Sequence, residues 1–183
     1  MILSMLFARK IDAESMPDTP TNRVAQDVNS AYDRHIDVVY RVCFSLMGNR
    51  QDAEDAAQSV FIKLMENGKT FSETEHEKAW LIVTARNHCR DMLRKWWRKK
   101  VGTLEEWMLE TRSHPSLNGE LELAEHLRKL PSAHRLLLYL HYYEGYRVAE
   151  IAEMLSINVN TVKSQMRNAR KRLKLEIGAD WDE

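Results

Sequence analysis

Wherever this chain is apolar, the apolar residues recur every three or four positions, and that period favours helices. Between Ala31 and Met47 the stripe is Tyr32, Ile36, Val39, Tyr40, Cys43 and Met47, and Gly48-Asn49 follows with the chemistry of a C-terminal cap. A second stripe, Ala53, Ala57, Val60, Phe61 and Leu64, predicts a helix from about Asp52 to Glu66 that Asn67-Gly68 stops. A third, Ile82, Ala85, Cys89, Met92, Leu93 and Trp96, predicts a long helix from about Glu77 to Lys100. Only six Gly and four Pro occur, while Leu, Ala, Glu, Lys and Arg abound, so composition favours helix as well.

After Lys100 the period is lost. Residues 101–119 hold Gly102, Pro115 and Gly119, and Glu105, Glu106 and Glu110 face only Arg112, so the segment reads as a flexible acidic linker with a short helix near Leu104 to Leu109. Helical patterning resumes from Leu121 to Arg128. Pro131 suits the first turn of the next helix, which is expected to run to about Tyr143 and close at Gly145. Val148 to Leu155 is a short helix, Ser156-Ile157-Asn158 a tight turn, and Val159 to Glu176 a longer basic helix with Asn158 as N-cap. Short helix, tight turn and basic helix make a helix-turn-helix. The fold class is therefore all-α, with two small helical domains joined by a linker.

The net charge is zero, from 27 cations and 27 anions, so affinity for a polyanion has to come from local patches. The final helix has one: Lys163, Arg167, Arg170, Lys171, Arg172 and Lys174 lie in a run with no acid. Val162, Met166, Ala169 and Leu173 form its inward stripe, which leaves Asn160, Thr161, Lys163, Ser164, Gln165, Arg167, Asn168, Arg170 and Lys171 for a partner. Such side chains read base edges in the major groove and hold phosphates. A solvated helix whose cations offset its dipole is the plainer alternative. In the third helix Arg86, Arg90, Arg94 and Arg98 recur every four residues beside Asn87, Lys95 and Trp97, a stripe that can follow a phosphate backbone while Trp97 stacks on an unpaired base. Asp91 is expected to pair with Lys95.

Other chemistries find little support. No histidine pairs with Cys, Asp or Glu at a zinc-site spacing, and neither a phosphate-cradling glycine loop nor a nucleophile elbow occurs. No cofactor, metal or enzymatic activity is expected. Cys43 and Cys89 suggest no disulfide framework, which fits a reducing compartment. The apolar run Ile2 to Ala8 is too short to span a bilayer, and Arg9 and Lys10 follow it where a secretory signal would place charge before it. Residues 1–25 and 178–183 are expected to be tails, and the protein cytoplasmic.

The motifs, taken in order, resemble those of the extracytoplasmic-function sigma factors of the bacterial sigma-70 family. Asp52-Ala53-Glu54-Asp55-Ala56-Ala57-Gln58-Ser59-Val60-Phe61 is similar to the polymerase-clamp-binding helix of that family. Ala79-Trp80-Leu81, Ala85-Arg86-Asn87 and Asp91-Met92-Leu93-Arg94 resemble its promoter-melting helix. Leu130-Pro131, Tyr143-Glu144-Gly145-Tyr146, Glu150-Ile151-Ala152-Glu153 and Asn160-Thr161-Val162-Lys163-Ser164 resemble its C-terminal domain. This chain departs from the pattern at Ser59, Ser156, Asn160, Gln165 and Asn168, the last two of which stand where arginines are frequent.

The resemblance implies a region 2-like domain over 26–100 and a region 4-like domain over 120–177. The first would bind the β′ clamp of core RNA polymerase through Asp52, Glu54, Asp55, Gln58 and Phe61. It would also read and melt the −10 element with the loop residues Asn67, Lys69, Thr70, Phe71, Ser72 and Thr74 and the stripe from Arg86 to Arg98. The second would read the −35 element with the final helix and meet the β flap. Promoter DNA and core polymerase are the implied partners, an anti-sigma factor is a further candidate, and no membrane insertion is implied. The competing readings are a helix-turn-helix regulator, or a sigma-like protein that does not carry polymerase to promoters.

Overall fold

The computed structural model describes residues 20–99 and 126–177, all of whose regular structure is helical. Helix α1 (Pro20–Met47) begins well before Ala31. Pro20 occupies its first position, where a missing N–H is harmless, and Val28 extends the apolar stripe toward the N-terminus and packs on the core. Helix α2 (Arg50–Asn67) is capped at both ends. The Asn49 side-chain oxygen accepts from the Asp52 amide at 2.9 Å, and Gly68, at φ +55°, donates its amide to the Met65 carbonyl. Helix α3 (Thr74–Lys99) completes the first half. Val39, Val42, Cys43, Val60, Leu64, Leu81, Ile82 and Cys89 are buried between the three helices. The thiols of Cys43 and Cys89 hydrogen-bond there. That bond and burial push the Cys43 thiol far above the usual range.

In the second half, α4 (Ser132–Leu138) gives way to a single π turn over Tyr139–Tyr143 where one continuous helix is expected from sequence. The Glu144 amide reaches back five residues to the Tyr139 carbonyl at 3.2 Å. The wider turn lets the Tyr139 and Tyr143 rings stack at 5.4 Å and brings the Tyr139 hydroxyl onto the Glu144 carboxylate. Helix α5 (Val148–Met154) is followed by the tight turn, and α6 (Val159–Ile177) runs to the end of the described chain. Leu136, Leu137, Leu140, Ile151, Leu155, Val162 and Met166 form the core of this half.

The two halves are not separate in space. Their buried residues form one continuous cluster, and α1 packs on α4 as well as on α2 and α3. Residues 126–129 are helical, in line with the patterning before Arg128. Residues 20–25, expected to belong to an N-terminal tail, are instead the first turns of α1, while residues 1–19 and 178–183, the linker over 101–119 with its short helix, and the start of the Leu121 helix lie outside the described residues. Among those residues, no helix is long and apolar enough to cross a membrane.

Candidate nucleic-acid interface

Asn158 positions α6. Its side-chain oxygen accepts from the Asn160 amide at 2.8 Å, and its carbonyl accepts from Val162, which completes an N-cap. Just before it, Ser156 sits at φ +52°, the left-handed conformation that a glycine would adopt without strain. Val162, Met166 and Ala169 are buried, so the helix cannot rotate without exposing them. Asn160, Thr161, Lys163, Ser164, Arg167, Asn168, Arg170 and Lys171 are all exposed, and Gln165 is half-buried. Ser164 spends its proton on the Thr161 carbonyl at 3.0 Å, so its hydroxyl faces a partner as an acceptor.

A cavity of about 260 Å³ opens where the α2–α3 loop meets the N-terminal part of α1. Of the loop residues singled out from sequence, Lys69, Thr70 and Phe71 line it. Asn67, Ser72 and Thr74 do not, and the Asn67 amide group turns back to the Lys63 carbonyl at 2.7 Å. Phe71 rests on Trp80 with ring centroids 5.8 Å apart, and Lys69 lies 5.3 Å above the same Trp80 ring. The other wall is a surprise of the fold: Asp27, Ser30 and Arg34 of α1 face the loop, with Glu77 of α3. Glu77 is held in place, since Arg34 donates to it at 2.9 Å and the buried His35 ring lies 2.9 Å away. The early start of α1 brings Asp27 and Ser30 to the pocket, and the Val28 position was the one sequence signal for it.

The arginine stripe of α3 is only partly a surface. Arg90, Arg94, Lys95 and Arg98 are exposed, Asn87 is half-buried, and Trp97 is 56% exposed. Asp91 pairs with Arg94 at 3.1 Å, where a pair with Lys95 was expected. Arg86 does not join the exposed line. It is half-buried, and its guanidinium donates to the Leu155 carbonyl of the helix-turn-helix at 3.2 Å. Burial, and then the nearby Arg90 charge, pull its pKa below the usual guanidinium value.

On α2 the acidic cluster divides. The Asp52 carboxylate is bound by Asn49, Glu54 pairs with Arg50 at 2.7 Å, and Asp55 is exposed with no cation paired to it among the described residues. Phe61 corrects an expectation: it is 5% exposed and meets Tyr32 edge-on at 4.9 Å, so it is core and cannot touch a partner. Its own stripe, shared with Ala57 and Leu64, had placed it inward. The apolar residues that do face outward on α2 are Ile62 and Met65, at 41% and 48% exposure. With Asp55 and Gln58 they share one face at helical spacing.

Comparison with known proteins gives this geometry a context. Residues 31–99 match the family model of Sigma-70 region 2, and residues 120–173 match that of Sigma-70, region 4. The chain is 30% identical over 156 residues to the ECF RNA polymerase sigma factor SigL of Mycobacterium tuberculosis, covering 82% of this chain and 88% of that protein. It is 28% identical to the RNA polymerase sigma factor SigV of Bacillus subtilis, covering 75% and 83%. Among solved structures, the sigma factor RpoE of Bartonella quintana, in complex with the anti-sigma factor NepR, shares the fold with a TM-score of 0.67 at 21% identity. That likeness covers 85% of this chain and 99% of RpoE. A regulator consisting of a helix-turn-helix alone would leave the match over 31–99 without a counterpart.

Proposed function

We infer how this chain divides its work between its two halves from the fact that it belongs to the extracytoplasmic-function sigma factors, and so is an RNA polymerase sigma factor. The first half binds the β′ clamp of core polymerase through the outward face of α2, with Asp55 and Gln58 as polar contacts and Ile62 and Met65 as the apolar ones. Asp52 and Glu54 serve the helix itself. The same half reads the −10 element. A base that has left the stack enters the cavity between α1 and the α2–α3 loop, while Arg90, Arg94, Lys95 and Arg98 hold the backbone and Trp97 offers a stacking surface. The second half reads the −35 element. Lys163, Ser164, Arg167 and Asn168 approach base edges, and Thr161, Gln165, Arg170 and Lys171 hold phosphates. It also meets the β flap.

The observation that carries this reading is the cavity of about 260 Å³ at the start of α3, whose later turns carry a line of exposed cations, on the same chain as an exposed recognition helix. A pocket suits one extruded base, whereas a helix suits intact duplex. The place of action is the cytoplasm, where polymerase and promoter meet. An anti-sigma factor is a further partner by analogy with RpoE, which is in complex with NepR. The test is run-off transcription with core polymerase on a library of promoter variants. Transcripts should depend on both elements, the −10 dependence following the loop and the −35 dependence following α6. Retention on polymerase without any promoter preference would overturn the reading and leave a sigma-like protein that does not select promoters.

A further inference from the structure

The cavity beside the α2–α3 loop has a wall that the family match does not cover. Asp27, Ser30 and Arg34 follow one another at helical spacing on α1, so they share one face of it, and that face lines the cavity. The match to Sigma-70 region 2 begins at residue 31, after both Asp27 and Ser30. The loop opposite has few groups left with which to tell one base from another. Asn67 is turned away to the Lys63 carbonyl, the Gly68 amide is spent on Met65, and Lys69 and Phe71 both lie against the Trp80 ring. Arg34 and Glu77 are tied to each other, the guanidinium donating to both carboxylate oxygens at 2.9 and 3.3 Å. That leaves Asp27, Ser30 and Thr70 as the polar side chains of the cavity without a partner among the described residues.

We propose that Asp27 decides which bases the cavity accepts, by demanding one that carries an exocyclic amine and refusing thymine. The proposal rests on the reading that this cavity takes an extruded −10 base. Hydroxyls rotate to donate or to accept, so Ser30 and Thr70 satisfy any base edge. A carboxylate only accepts, which makes Asp27 the unpaired group of fixed polarity. An extruded base shows the edge that pairing had covered. Cytosine, adenine and guanine each carry an amine there, whereas thymine has a ring N–H flanked by two carbonyl oxygens, whose lone pairs a carboxylate would meet. Asp27 is exposed in the free molecule, so a base without an amine strips its water and returns nothing in exchange. The labour is thus divided: the loop gives the cavity its shape, and α1 gives it its polarity.

Run-off transcription by the full chain with core polymerase tests this on premelted promoter templates. Each −10 position of each strand carries the four bases in turn and then uracil, which lacks the thymine methyl and so separates polarity from bulk. At one position the wild type should favour an amine-bearing base over both thymine and uracil by at least about tenfold, the factor worth roughly one charge-assisted hydrogen bond. Asp27→Ala should level that position and no other. Asp27→Asn keeps the shape but both donates and accepts, so it should level the position as well. Retention on core polymerase and the −35 preference should stay as in the wild type, because an exposed side chain contributes little to folding. A wild type whose −10 preferences disregard the amine, or variants that keep the wild-type preference, would overturn the role of Asp27 while the cavity still reads a base. A wild type with no base preference at any −10 position would remove the reading of the cavity and the proposal together.

Discussion

Single side chains set several of the properties described above. Ser156 holds a left-handed backbone at φ +52° that disfavours any residue with a Cβ. Ser156→Gly is therefore expected to stabilise the protein by about 1 kcal/mol, measurable as a higher urea midpoint at unchanged slope. A lower midpoint would mean that the serine side chain makes up for its strain. Arg167 is exposed on α6 with no acid paired to it among the described residues, which suits a group aimed at a base edge. Arg167→Ala should weaken −35 binding by roughly 1–3 kcal/mol and relax the preference at one base pair. Uniform weakening across all −35 sequences would move Arg167 to the phosphates. Phe61 shows what was legible at this scale. The apolar period places it inward, and the core confirms the period, while the likeness of its motif to a binding helix pointed outward. The exposed Ile62 next to it carries no periodic signal and went unread.

Elements followed the sequence where local chemistry decides them. Caps at Gly68 and Asn158 stand where expected, Asn49, expected at the close of α1, caps the start of α2 instead, and α2, α5 and α6 begin or end within two residues of the expected places. The π turn did not announce itself, because it depends on the stacking of Tyr139 on Tyr143 and on the bond to Glu144 rather than on propensity. The cavity escaped for a similar reason: it needs α1 to start at Pro20 so that Asp27 and Ser30 can face a loop some forty residues away. Under the proposed reading that loop is a portable element. Exchanging residues 66–77 for those of a related sigma factor should switch the −10 preference in a run-off assay and leave the −35 preference alone. A protein that kept its original −10 preference would reduce the loop to a connector. On α2, replacing Ile62 and Met65 together by alanine should weaken retention by core polymerase while leaving the fold intact, since both are already exposed. Undiminished retention would return the contact to the acids.

At the scale of the whole molecule, acid should destabilise the fold. His35 is held below the usual value of 6.5, first by burial, against the pull of Glu77. His88 is lowered by burial and then by Lys63, whose ammonium donates to its Nδ1 at 2.9 Å. His134 is lowered by burial and by Arg172. A histidine whose folded pKa is depressed takes up its proton more readily when unfolded, so its stabilising share is intact above pH 6.5 and is lost as pH falls below it. Urea unfolding at pH 7.5, 6 and 5 should show stability falling on the acid side, and a flat profile would contradict the burial of these rings. The joining of two halves into one core was the least legible feature, since Arg86 and Arg135 bond across 69 and 90 residues of sequence and no local pattern reports such a pairing. The thiols carry a consequence of another kind. The chain has two cysteines, both buried in the core against each other, and burial with the bond to Cys89 raises the pKa of the Cys43 thiol, a setting in which a thiol reacts poorly with peroxides and electrophiles. Oxidative stress would find no reactive thiol among these two cysteines, so a cell that tied this protein to such a stress through thiol chemistry would have to place the sensor in a different molecule and pass the message on by releasing or capturing this one.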